Sequence, residues 1–425
     1  MTAKHMTHET LVLSARYLLT GPNTIIDNGA VVIGNGKIIF AGGFKDFDGQ
    51  EGAKIIDLGN SAIIPGLINA HTHLELSRLK GCINYNGNFA DWVKQIIEAK
   101  KKWEENEYRL SIREGIARSI EAGTTTIADI TRNSYAFDEL INSKLRKFVF
   151  YELIDFNPST AEDTLENFKK IISGIENTPL LSIGMSPHAP YTVSRELYKR
   201  CSVVSGELDI KIATHLSESM DEIEFLTNGT GSLAGLLESR GMLNSWKHPG
   251  VRPITYLSKM GVLNNSWLLI HCNYITVEEI ADIKKSNSSV VFCPGSHKFF
   301  GHRGHPFRKY IDHGINVALG TDSLASNETL SILDEMKSLY EEYKDLKPQS
   351  ILHMGTIAGA IALGLEDKIG RVGPGFDADI TVIKLPEERS GNIYDEIFSR
   401  GSECIFTVVS GSICYDKDKL APSSC

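Results

Sequence analysis

Two textures of hydrophobic and polar positions divide the chain. Near its beginning, short apolar or alternating runs at 11–17, 30–33 and 37–41 are separated by turn residues such as Gly34-Asn35-Gly36. Period-2 alternation is the strand pattern, and Gly/Asn clusters between such runs mark tight turns. The far end has the same texture. A Gly/Pro-rich turn at 370–375 leads into strand-like runs at 378–384, 404–410 and 411–415. The two ends are expected to pack as one small β-sandwich, 1–66 with 370–425, beside a central domain at 67–369.

The centre alternates instead. Eight short apolar runs stand at 67–70, 124–129, 147–153, 181–186, 209–214, 266–270, 288–293 and 315–320. Longer helical patterns fall between them, as at 91–106, 108–122, 162–175, 277–285 and 328–343. Parallel strands need crossover connections, usually helices, so this alternation predicts a parallel sheet. Eight such units predict an α/β fold, the (β/α)8 TIM barrel. A doubly wound open sheet is the competing architecture, but no Gly-x-Gly-x-x-Gly follows the first run.

Composition and charge add exclusions. A chain of 425 residues exceeds the usual single core and fits a large domain with a smaller one. The net charge is −9 and no basic stripe appears, so no nucleic-acid partner is expected. No uninterrupted apolar run reaches membrane-spanning length, and no apolar segment behind the start reads as a secretory leader. The seven cysteines, Cys82, Cys201, Cys272, Cys293, Cys404, Cys414 and Cys425, form no CxxC pair. A reduced, cytoplasmic setting is expected.

In a barrel the C-terminal ends of all strands converge on the face where active sites sit. The residues at these ends are His71-Thr72-His73-Leu74-Glu75, Pro187-His188-Ala189-Pro190, His215-Leu216-Ser217-Glu218, His271-Cys272-Asn273 and Thr321-Asp322-Ser323. Extended backbone turns residues i and i+2 to one side, so His71 and His73 can reach the same ion. With His215 and Asp322 they form an imidazole–carboxylate set suited to zinc or ferrous iron, with a position left for water. Glu218 and His271 beside such a water suit general acid/base work, and Asp322 can both ligate and accept a proton. Blander readings stand beside these: Glu218 as a helix-start glutamate, His271 as a backbone-bonded buried ring, and His188 as a turn residue between prolines.

These residues carry a resemblance. Pro65-Gly66-Leu67-Ile68-Asn69-Ala70-His71-Thr72-His73, His215-Leu216-Ser217-Glu218, His271 and Thr321-Asp322-Ser323 resemble the amidohydrolase superfamily. They are most similar to its aminohydrolase branch, which includes chlorotriazine hydrolases, guanine deaminase, adenosylhomocysteine deaminase and aminodeoxyfutalosine deaminase. The closing Gly373-Pro374-Gly375-Phe376-Asp377-Ala378-Asp379 is of that kind too, and the likeness covers nearly the whole chain. It implies one divalent metal, zinc ahead of iron, on His71, His73, His215 and Asp322. Glu218 matches the proton shuttle and His271 the residue that orients the attacking water. No lysine ends the fourth strand, where binuclear relatives carry a bridging carbamate.

The implied reaction is hydrolytic deamination of an aminated heterocycle or nucleoside, of aminodeoxyfutalosine/adenosine, guanine or pterin type. Glu218 protonates the ring nitrogen, metal-activated hydroxide attacks the amidine carbon, and ammonia leaves. Opening of a cyclic amide, or attack at C–Cl as in triazine hydrolases, would use the same ligands. Glu75, Trp92, His188, Ser296 and His297 are the candidate substrate contacts. Many relatives carry asparagine where His297 follows Cys293-Pro294-Gly295-Ser296. The segment with His297, Lys298, His302, Arg303 and His305 reads either as a lid over a polar substrate or as a solvated loop. The expected partner is a small molecule, and homodimers are common in that branch.

Overall fold

The computed structural model describes residues 10–49, 52–175, 178–243 and 246–421. Cys425 and the outermost residues of the expected composite domain, 1–9 and 422–425, lie outside the described residues.

The chain opens with strands Leu11–Gly21 (β1), Thr24–Gly34 (β2), Lys37–Gly43 (β3), Lys54–Asp57 (β4) and Ser61–Pro65 (β5). The β2–β3 turn forms where the sequence marks it. Asn35 and Gly36 both take positive φ, 52° and 75°, the left-handed pair whose twist matches two antiparallel strands. β4 and β5 have no counterpart among the expected strands. Each is too short, at four and five residues, for alternation to be read.

Eight parallel strands follow: Leu67–Thr72 (β6), Thr124–Thr131 (β7), Arg146–Leu153 (β8), Leu181–Pro187 (β9), Ile212–Leu216 (β10), Trp267–His271 (β11), Ser289–Phe292 (β12) and Val317–Leu319 (β13). They are neighbours in chain order, and a parallel bridge between Thr72 and Asp322 closes β13 onto β6. Every run expected in the centre overlaps one of them. The interior is filled by side chains such as Ile68, Ala128, Phe150, Leu268 and Val291. A second layer, including Leu165, Phe168, Tyr198 and Ile283, packs between strands and helices. The two helices expected at 91–106 and 108–122 are both present, but the first ends six residues early and the second begins three residues early. Phe89–Lys100 stops, and Glu105–Glu121 starts behind a capping box in which Glu104 and Glu107 satisfy each other's backbone N–H groups.

Both chain ends then meet in one mixed sheet. Ile380–Lys384 (β14), Glu403–Val409 (β15) and Ser412–Asp416 (β16) join it in the order β16-β15-β14-β5-β1-β2-β3, with β4 also on β1. The branch at β1 lets both arms bury residues in one core, among them Leu13, Val31, Ile56, Ile380 and Phe406. Arg146 at the start of β8 ties this sheet to the barrel. Its guanidinium donates to Asp379 and Asp377, each at 2.8 Å, and to Pro179 O at 3.0 Å. Arg146→Ala strands the buried Asp379 without its cation. It is expected to cost about 3–5 kcal/mol in denaturant unfolding, and a loss below about 1 kcal/mol would show the tie to be dispensable. No helix among the described residues is long and apolar enough to cross a membrane.

Candidate active site

The strand ends bring the expected donors together. His71 Nε2 lies 3.5 Å from Asp322 Oδ1, and His73 Nε2 lies 3.9 Å from the same oxygen. His73 and His215 approach Nε2 to Nε2 at 3.2 Å. Their tautomers follow from their other nitrogens. His73 Nδ1 faces Ile130 O at 3.1 Å, and His215 Nδ1 faces His188 O at 3.0 Å. A carbonyl only accepts, so both Nδ1 atoms carry the proton and both Nε2 atoms present lone pairs. Two lone pairs at that distance do not bond each other. They do fit one cation, because ligands about 2.0–2.1 Å from a tetrahedral ion stand roughly 3.3 Å apart. His71 is wholly buried, and neither of its ring nitrogens has a hydrogen-bond partner. This donor set fits a divalent cation.

Burial keeps His71 and His215 neutral, the state a metal requires. It lowers His71 to about 4, against the pull of the nearby Asp322 carboxylate, and it drives His215 well below the usual value. His271 is lowered to about 3 by the same cause. Burial works to raise Asp322, but the imidazoles of His71, His271 and His73 outweigh it and hold the carboxyl well below its ordinary range. Ser296 Oγ and Ser326 Oγ both donate to Asp322 Oδ2, at 2.8 and 2.7 Å, which turns Oδ1 toward the imidazoles.

Glu218 behaves in the opposite way. Burial, reinforced by the charges of Asp322 and Glu222, pushes its carboxyl well above the usual carboxylate range and so favours the protonated form. Its Oε1 lies 3.5 Å from His271 Nε2. Its backbone is clamped: the N–H donates to Glu222 Oε2 at 2.8 Å and the carbonyl accepts from Asn273 Nδ2 at 2.9 Å. Ser217, His271, Cys272 and Asp322 all have positive φ, between 50° and 69°. Left-handed backbone costs non-glycine residues about 1–3 kcal/mol each, and such strain clusters at functional sites.

A cavity of about 500 Å³ opens onto these groups. His73, His188, His215, Glu218, His271 and Asp322 form its base, and Leu76, Phe89, Trp92, Ile96, Leu236 and Met242 build apolar walls. Residues 62–414 of the chain match the amidohydrolase family. The chain belongs to that family. It is 31% identical over 346 residues to a 5-methylthioadenosine/S-adenosylhomocysteine deaminase from Pyrococcus furiosus, over 78% of this chain and 77% of that protein. Among solved structures it is similar to a zinc-bound adenosine deaminase from Xanthomonas campestris. The TM-score is 0.83 at 22% identity, over 97% of this chain and 94% of that one. It is also similar to Helicobacter pylori aminofutalosine deaminase in complex with methylthio-coformycin. There the TM-score is 0.83 at 21% identity, over 95% and 99%.

The expected substrate contacts of this amidohydrolase divide into two groups. Glu75, Trp92 and His188 line the cavity. Glu75 is already partnered, by Lys100 and by Thr131 Oγ1 at 3.0 Å. Trp92 donates its Nε1–H to Ala325 O at 3.3 Å and meets Phe300 edge-on. Ser296 and His297 are placed elsewhere. Ser296 lies behind Asp322 as its donor, and His297 is buried against Phe292, His302 and His305. Neither lines the cavity. Their segment is packed and not a solvated loop. His297, Phe300 and His305 are buried and only Lys298, Arg303 and nearby glycines face out.

Four charged lining residues escaped the sequence reading: Lys100, Lys101, Glu152 and Arg240. Glu152 stands one residue before the end of β8, so strand-end inspection extended inward would find it. Lys100 and Arg240 sit far from any motif, and only packing brings them to the cavity.

Proposed function

We propose that this amidohydrolase is a metal-dependent hydrolytic deaminase of an aminated purine nucleoside or a related heterocycle, with release of ammonia. The observation that carries this is a buried Glu218, 3.5 Å from His271 and close to Asp322, adjoining the clustered imidazoles of His71, His73 and His215. A divalent cation held by His71, His73, His215 and Asp322 would supply the acidification of a water.

The remaining work belongs to side chains. Glu218 gives its proton to the ring nitrogen next to the amine-bearing carbon, which makes that carbon electrophilic. Neutral His271 orients the attacking water. Asp322, ionised near neutrality, takes one proton of the water and returns it to the departing amine, and the proton left on the new hydroxyl passes to Glu218 as the C–N bond breaks and the carbonyl forms. Glu75, with Lys100, and His188 stand where a bound ligand's polar groups would meet them. The cavity size, about 500 Å³, falls among sites for ligands larger than a bare base, which favours a nucleoside. The six described cysteines are all free, in keeping with a cytoplasmic setting.

The deciding assay is ammonia release from adenosine, 5-methylthioadenosine, adenosylhomocysteine and aminodeoxyfutalosine, each supplied to metal-loaded protein. Release from at least one is expected. Silence with all four, together with ring-opened or dechlorinated products from cyclic amides or triazines, would replace deamination by the alternative chemistry. We assign zinc ahead of iron because imidazole-rich sites with one carboxylate suit it. Elemental analysis after purification should return about one zinc per chain. Activity restored to stripped protein by iron and not by zinc would reverse the assignment.

A further inference from the structure

His271 and Cys272 take left-handed backbone in succession, with φ of 69° and 50°. The Cys272 N–H donates to Ile270 O, two residues back, at 3.1 Å, and to Leu216 O at 2.9 Å. His271 is therefore the corner of a three-residue γ-turn in its rarer, strained hand. Neither residue is glycine, so the conformation persists only if something outside the turn holds it.

The carbonyls of His271 and Cys272 are both held from the segment after β12. His305 donates its Nε2–H to His271 O at 2.8 Å. Its Nδ1 accepts the Phe307 N–H at 3.0 Å, so the tautomer is determined and both ring nitrogens are used. The ring stacks on Phe292 with centroids 3.7 Å apart. Tyr310, wholly buried, donates its O–H to Cys272 O at 2.8 Å. Neither His305 nor Tyr310 lines the cavity.

We propose that His305 and Tyr310 are positioning residues, a two-point clamp on the strained turn that aims the His271 imidazole at Glu218 and Asp322. The inference rests on the role given to His271 above. Each donor ends on a carbonyl of the turn itself, where rotation of a peptide plane would release the strain. Such a rotation carries the imidazole off its line to Glu218. A displacement of about 1 Å in a catalytic group costs roughly 100-fold in rate.

Three variants and one control test the clamp in the metal-loaded protein. The readouts are kcat, KM, metal content and affinity for methylthio-coformycin. His305→Phe keeps a ring on Phe292 and removes both hydrogen bonds. It should lower kcat about 100-fold at unchanged KM and metal content, and weaken the inhibitor in parallel. His305→Gln keeps an N–H near the Nε2 position and should recover most of that loss. Tyr310→Phe removes one oxygen and should lower kcat about 10-fold. Wild-type kcat in His305→Phe and Tyr310→Phe, with His271→Ala inactive, overturns the clamp. So does equal loss in His305→Phe and His305→Gln accompanied by loss of metal, which is the mark of a packing defect. If His305→Phe does not fold, Tyr310→Phe decides alone, and wild-type kcat there overturns the clamp. Normal turnover in His271→Ala, or no ammonia from any nucleoside, would instead remove the functional reading beneath it.

Discussion

Glu218→Gln is expected to keep its metal and its fold while losing turnover by about 10³-fold, within the range for removal of a general acid/base. Glutamine has the same shape but cannot give up a proton. The contacts that hold residue 218 use its backbone, the N–H to Glu222 and the carbonyl to Asn273, and both survive the exchange. A neutral amide also suits a buried position where burial disfavours the charged carboxylate, so little stability should change. Steady-state ammonia release and elemental analysis of the purified variant are the checks. Activity within about 10-fold of the parent would take the proton-transfer role away from Glu218 and leave His271 and Asp322 to supply it.

His215→Ala is expected to lose the metal and, with it, all measurable turnover. Its Nε2 meets His73 Nε2 at 3.2 Å, and its ring is held at Nδ1 by the His188 carbonyl. Such support fixes both the tautomer and the direction of the lone pair. Without this ring only His71, His73 and Asp322 remain. The site would then keep two imidazoles and one carboxylate, and its affinity should fall steeply. Stability should fall too, because a ligand that binds only the folded state stabilises it by about 2.7 kcal/mol at 100 times its dissociation constant. Thermal unfolding of the parent with and without chelator should reproduce most of the variant's shift. Retention of a full metal equivalent by His215→Ala would remove His215 from the donor set.

Much of this arrangement is legible in one dimension because its signals are local. A barrel strand buried on both faces is a short apolar run, and the residue that ends it is the residue at the rim. His71, His73, His215, His271 and Asp322 could be named for that reason, and all five meet within a few ångströms. The Asn35-Gly36 turn was readable for a similar reason, since its backbone hand is a property of those two residues. Ser296 shows the limit. Its motif places it beside the site, but its side chain faces Asp322 Oδ2 and not the cavity, and only the packing of the helix Pro294–Phe299 decides that.

The chain alone therefore determined the eight-strand alternation, the two β-rich ends and the identity of the rim residues. Each rests on periodicity over a few residues or on the type of residue at a strand end. The tertiary structure decided the rest. It set which nitrogens carry protons, that Glu218 is pushed up while Asp322 is held low, that Lys100 meets Glu75, and that His305 and Tyr310 donate to the turn at His271. Each of these depends on burial and on hydrogen bonds between segments far apart in the chain. Burial and distant partners are properties of three-dimensional packing, and no local pattern encodes them.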